Sequence, residues 1–106
     1  MIEIIWEFTV KPECADRFID IYGADGRWAA LFRKYPGYEG TTLLRDTASA
    51  FRFVTIDRWD SDADFERMRQ ASTVEYSALD EECASLAVSE KQLGTFRRVE
   101  GPPIEL

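Results

Sequence analysis

Residues 38–61 read Tyr-Glu-Gly-Thr-Thr-Leu-Leu-Arg-Asp-Thr-Ala-Ser-Ala-Phe-Arg-Phe-Val-Thr-Ile-Asp-Arg-Trp-Asp-Ser. Two runs rich in β-branched and aromatic residues, about 38–46 and 51–59, flank the polar link Asp46-Thr47-Ala48-Ser49-Ala50. A link this short and polar predicts an antiparallel hairpin. Ser61 stands three residues before Asp64, a capping arrangement that opens a helix carrying Phe65 and Met68 on its inner side.

Outward from this hairpin the pattern stays regular. Upstream, Pro36-Gly37 marks a turn, and residues 2–10 alternate. Ile2, Ile4, Trp6, Phe8 and Val10 share one face; Glu3, Ile5, Glu7 and Thr9 share the other. Period two with such residues reads as a strand. Pro12 stops it and suits a helix's first turn. Phe18, Ile21 and Tyr22 then form a helical stripe that breaks at Gly23-Ala24-Asp25-Gly26, and Asp25 is placed to cap a short helix with Trp28, Ala29, Leu31 and Phe32. Downstream, Ser72 and Glu75 form a second capping box, followed by the stripe Tyr76, Leu79, Cys83 and Leu86. Leu93 to Val99 reads as the last strand, and Gly101-Pro102-Pro103 ends the fold.

The order is β-α-β-β-α-β with each helical region split in two. It predicts an α+β, ferredoxin-like sandwich: a four-stranded antiparallel sheet with helices on one face. One domain over 1–100 and a short tail at 101–106 are expected from 106 residues. The uncovered face of such a sheet is most simply buried against a second copy of the chain, so a homodimer is expected.

Composition narrows the function classes. The net charge is −7, with seven bases against eight acids in 1–53 and six against twelve in 54–106. A chain this acidic, without a basic run, repels phosphate backbones, so nucleic-acid binding is not expected. No apolar stretch approaches the roughly 20 residues of a membrane span, and Met1-Ile2-Glu3-Ile4-Ile5 is not a basic leader, so a cytoplasmic protein is expected. Cys14 and Cys83 read as free thiols. Histidine is absent, which removes the commonest metal ligand and general base. Asp60, Asp62 and Asp64 alternate like a calcium loop, but Phe65 and Ala71 stand where its glycine and closing glutamate belong. Acids in a helix's first turn suit its dipole, and no metal site is expected.

Three pieces, in this order and spacing, resemble the antibiotic-biosynthesis monooxygenase-like family of dimeric α/β barrels. They are Glu7-Phe8-Thr9-Val10-Lys11-Pro12, Tyr35-Pro36-Gly37-Tyr38 and Ile56-Asp57-Arg58-Trp59-Asp60-Ser61, and the resemblance runs over roughly 2–99. It implies two sheets facing one another in a dimer and a pocket between sheet and helices in each subunit. It implies, without a cofactor, oxidation of electron-rich aromatics by O₂. In the haem-cleaving branch a helix His works with a first-strand Asn and a third-strand Trp. Trp59 matches that Trp, Trp6 stands at the Asn position, and no His exists, so haem degradation is disfavoured.

Candidate residues follow. Trp6 and Trp59 offer flat walls and N–H donors for a small aromatic or quinone-like ligand, although both also suit a core. Trp28, Phe53, Thr55 and Tyr76 are further candidate substrate contacts. Asp57 is the candidate base, with pairing to Arg52, Arg58 or Arg69 as its structural alternative. Tyr22 and Arg69 are candidate partners for a developing anion. The functional expectation is a monooxygenase-type protein. A non-catalytic ligand-binding or stress-related dimer, and an isomerase or cyclase using Asp57 or Glu7, are the alternatives.

Overall fold

The computed structural model describes residues 1–101. Apart from Gly101, the expected tail, with Pro102 and Pro103, lies outside the described residues. The elements are β1 (Ile2–Val10), a 3₁₀ turn (Pro12–Cys14), α1 (Ala15–Tyr22), α2 (Arg27–Phe32), β2 (Tyr38–Arg45), β3 (Arg52–Trp59), α3 (Asp62–Ala71), α4 (Thr73–Cys83) and β4 (Ala87–Arg97). The strands form one antiparallel sheet in the order β2-β3-β1-β4, with the helices on one face. This is the predicted α+β architecture.

The alternation in β1 decides which face is covered. Ile2, Ile4, Phe8 and Val10 are buried, and directly opposite them on β3 lie Trp59, Asp57 and Phe53, with Val10 past the end of the ladder. Phe18 and Ile21 of α1, Trp28, Leu31 and Phe32 of α2, Met68 of α3, and Leu79 and Cys83 of α4 close over this side. On the other side the central cross-strand pair is Ile5 opposite Ile56, flanked by Glu7 opposite Val54 and by Leu44 on β2. Leu44 and Phe96 are about half exposed there. Arg52 bonds Glu7 (2.9 Å) and Asp46 (3.2 Å) on this open face, and Arg58 donates to Thr42 (2.9 Å).

Four local expectations need correction. The last strand begins at Ala87, six residues before Leu93, and ends at Arg97. Residues 88–92 are too polar to announce a strand, because this edge strand gains its order from backbone pairing with β1 rather than from burial. Ser72 does not form a capping box: its hydroxyl donates back to the Met68 carbonyl (2.6 Å), while Glu75 pairs with Lys34, just past the end of α2 (2.9 Å). Asp25 does not cap α2, whose N-cap is Gly26; its carboxylate pairs with Arg33 (3.1 Å). Leu86 is buried as expected but lies beyond the end of α4.

Ser61 does cap α3, accepting from the Asp64 amide (3.2 Å). Gly37, at φ +94°, fits beneath it: a Cβ there would collide with the Asp64 side chain at 2.5 Å. That close approach requires glycine. It fixes the start of α3 against the turn that leads into β2.

Candidate functional site

A cavity of about 190 Å³ lies between the covered face of the sheet and the helices. It is smaller than the roughly 300–1,000 Å³ of sites for drug-sized ligands. Its inner surface is Phe8, Phe32, Thr41 and Thr55, all buried. Trp6, Tyr22, Trp28 and Tyr76 form aromatic walls. The Trp6 and Phe8 rings are near-parallel with centroids 6.3 Å apart, and Tyr76 meets the Trp28 ring edge-on at 4.8 Å. The exposed side chains Arg69, Asp80 and Glu90 form the mouth.

Asp57 is the polar focus. It projects from β3 into the cavity wall, and its Oδ1 accepts from the Thr41 hydroxyl at 2.6 Å. Thr41 Oγ1 also contacts the Tyr38 hydroxyl. Thr41 has one hydroxyl proton, so when it gives that proton to the Asp57 carboxylate it accepts from Tyr38. A chain Tyr38 to Thr41 to Asp57 results. Burial pushes the Asp57 carboxyl up to about 6, with Thr41 and the nearby Arg58 charge working the other way. None of the three arginines weighed as partners forms an ion pair with it. Arg52 and Arg58 are on the open face, and the Arg69 guanidinium lies over the Tyr76 ring at 4.0 Å.

The tyrosines at the cavity stay protonated. Burial raises the Tyr22 hydroxyl well above the usual phenol range, aided by Cys83, and burial likewise raises Tyr76. Each is therefore a donor rather than a base near neutral pH. The Trp28 Nε1 is buried without a hydrogen-bond partner. Burial also raises the Cys83 thiol, which leaves it unsuited as a nucleophile. Among the described residues no group of three or more acidic or cysteine side chains could hold a metal ion. Asp64, from the alternating acids, is engaged by Ser61 and Arg67.

The structure thus brings Trp6, Tyr22, Trp28, Thr55, Asp57, Arg69 and Tyr76 to one cavity. Trp59 and Phe53, the other two candidate substrate contacts, are not among the residues lining it. Trp59 is fully buried among Phe32 (5.6 Å), Tyr38 (5.3 Å) and Phe65 (5.9 Å), and its Nε1 has no partner. Trp6 lies opposite Thr55, four residues along β3 from Trp59. At about 3.3 Å per residue, that is about 13 Å down the same face. Phe53 is covered by Phe18 (5.1 Å).

Five lining residues were not singled out from sequence as site residues. Phe8 and Phe32 read there simply as apolar positions. Thr41 shares the face of Asp57, its cross-strand partner on β3. Asp80 lies one turn beyond Tyr76 on α4, a spacing that carried the signal. Glu90 lies opposite Phe8 on the part of β4 that precedes the expected start at Leu93.

Comparison with known proteins bears on this site. Residues 1–76 match the family model described as Antibiotic biosynthesis monooxygenase. No curated protein sequence matches the chain. Among solved structures, a variant of SnoaB, a cofactor-independent oxygenase from Streptomyces nogalater, is similar over 97% of both chains, with 23% identity and a TM-score of 0.77. A candidate antibiotic biosynthesis monooxygenase from Deinococcus radiodurans is similar over 99% of both chains, at 14% identity and a TM-score of 0.74. PA3566 from Pseudomonas aeruginosa aligns over 93% of this chain and 94% of its own, at 20% identity and a TM-score of 0.68. At these identities the likeness is one of fold.

Proposed function

The chain belongs to the antibiotic biosynthesis monooxygenase family, and on that premise we propose that it oxidises a small aromatic or quinone-like substrate in the cavity beneath its helices. The observation that carries this reading is Asp57: a carboxylate in an aromatic cavity, free of any ion pair, with its basicity raised by burial to about 6. At neutral pH it is still mostly ionised, and it is a stronger base than a solvated carboxylate.

In a reaction of the cofactor-independent type, the substrate itself supplies the electrons for O₂. Asp57 takes a proton from a ring CH₂ flanked by carbonyl or phenolic groups, and the resulting anion passes an electron to O₂. The two radicals combine at that carbon as a peroxide anion, which recovers the proton from Asp57. Loss of water from the hydroperoxide leaves a ring carbonyl, so one oxygen atom stays in the product and the other leaves as water. Tyr22 and Arg69 donate to the negative charge as it spreads to the ring oxygens. Trp6, Trp28 and Tyr76 hold the ring, and Thr55 adds a polar contact at the floor.

The same reading buries the open face of the sheet, around Ile5, Ile56, Val54 and Leu44, against a second copy. The mix of apolar centre and charged border on that face supports a homodimer.

Oxygen uptake with anthrones, which carry such a ring CH₂, followed alongside the quinone absorbance, tests the proposal. Consumption of O₂ that exceeds the spontaneous rate, and is lost in Asp57→Asn, is expected. Saturable binding of these compounds without any acceleration would overturn the oxidase reading and leave a ligand-binding protein.

A further inference from the structure

The charges around the cavity are unequal. Asp57 stands inside it, Asp80 and Glu90 stand at its mouth, and Arg69 is the single basic residue among those lining it. The arginine is itself held over the Tyr76 ring. Asp80 is presented by α4 and Glu90 by β4, so the two acids face the opening from opposite layers. Glu90 holds its proton more tightly than an ordinary glutamate, through burial and the neighbouring Asp80 charge. Neither acid forms an ion pair among the described residues.

Resting on the reading that this cavity is the ligand site, we propose that it selects by charge, taking aromatic substrates that carry a neutral or amine-type substituent and turning away aromatic carboxylates. An anionic group at the mouth meets two unpaired carboxylates and a third within. A single exposed guanidinium, already engaged with a ring, offsets them incompletely. A protonated amine gains where a carboxylate loses. The acids at the mouth are solvated, so the effect is modest and screened by salt. The protein's net charge of −7 acts in the same direction at longer range.

Three probes of one shape separate the possibilities: 2-naphthol, 6-hydroxy-2-naphthoate and 6-(aminomethyl)-2-naphthol, titrated by calorimetry at pH 7.5 and low salt. The expected order is amine tightest and carboxylate weakest, with about tenfold between them. In the double variant Asp80→Asn with Glu90→Gln the spread is expected to fall below about threefold. In wild-type protein at high salt it is expected to narrow in the same way. Binding of the carboxylate as tightly as the amine, or an unchanged order in the double variant, would overturn charge selection while leaving the cavity as a ligand site. Failure of all three probes to bind would overturn the cavity itself, and with it both readings. Selective binding without O₂ uptake would remove the oxidase chemistry alone.

Discussion

Replacing Asp57 by Asn is expected to make the protein more stable and inactive at once. The asparagine keeps the shape of the carboxylate and still accepts from the Thr41 hydroxyl, so little packing changes. The removed quantity is the cost of holding a charge where burial disfavours it. Moving the carboxyl from its ordinary 3.8 to about 6 corresponds to about 3 kcal/mol at roughly 1.4 kcal/mol per pH unit. The sign follows from the direction. With the folded-state value raised, protonation favours the folded protein. The group costs nothing below about 3.8, where both states are protonated, and its full cost is present above about 6. The difference between variant and wild type is thus expected to be about 0.5 kcal/mol at pH 4 and to grow to about 3 kcal/mol by pH 7.5.

Urea unfolding at a fixed protein concentration, at several values between pH 4 and 8, gives that difference directly. Carboxylates stabilised by partners, such as Glu7 beside Arg52 and Asp64 beside Arg67, impose their own acid dependence. They do so equally in both proteins and cancel in the difference. A variant less stable than wild type at pH 7.5 would refute the reasoning, since the charge would then be stabilised by its surroundings. A stability gain that does not change with pH would refute it as well, because it would have another origin. The combination of gained stability and lost O₂ uptake is the expected mark of a group kept for chemistry at the expense of the fold.

Three further outcomes are expected. Thr41→Val removes the hydrogen bond that opposes burial at Asp57, so the Asp57 titration, read by carboxyl carbon chemical shift or by the acid limb of the pH–rate profile, should move above 6; an unchanged or lower value would dismiss the relay from Tyr38. Trp59→Ala should cost about 3–5 kcal/mol by urea unfolding, whereas Trp59→Phe should leave naphthol affinity within about twofold and Trp6→Ala should weaken it about tenfold or more; equal losses of affinity at both positions would return Trp59 to the ligand site. Ile56→Glu places a charge at the centre of the open sheet face and should yield monomers by sedimentation, and dimers persisting at micromolar concentration would send the interface elsewhere.

The sheet was legible because one face of it is buried and the other is not. A period-two pattern records that asymmetry directly in β1 and β3, where Ile4 and Phe53 go inward while Glu3 and Arg52 go outward. The same logic explains the miss at residues 87–92: an edge strand held by backbone bonds leaves no apolar alternation to read. The site was legible only as far as faces go. Period two tells which residues of a strand share a face but carries no information on height along it, so Trp59 stands level with Asp57 and Thr55 in the pattern although only the latter two line the cavity. Thr41, Asp80 and Glu90 reach the cavity from three elements whose mutual register only the packed fold defines. The decisive property of Asp57 was least legible of all, because it depends on what its neighbours do not do. Arg52, Arg58 and Arg69 all stand near enough in sequence to neutralise it. The strand pleat sends the first two through the sheet, and the aromatic ring of Tyr76 takes up the third. A carboxylate between three arginines reads as an ion pair until each arginine is seen to be engaged elsewhere. The unpaired, buried base that results follows from the placement of those competitors rather than from any motif around residue 57.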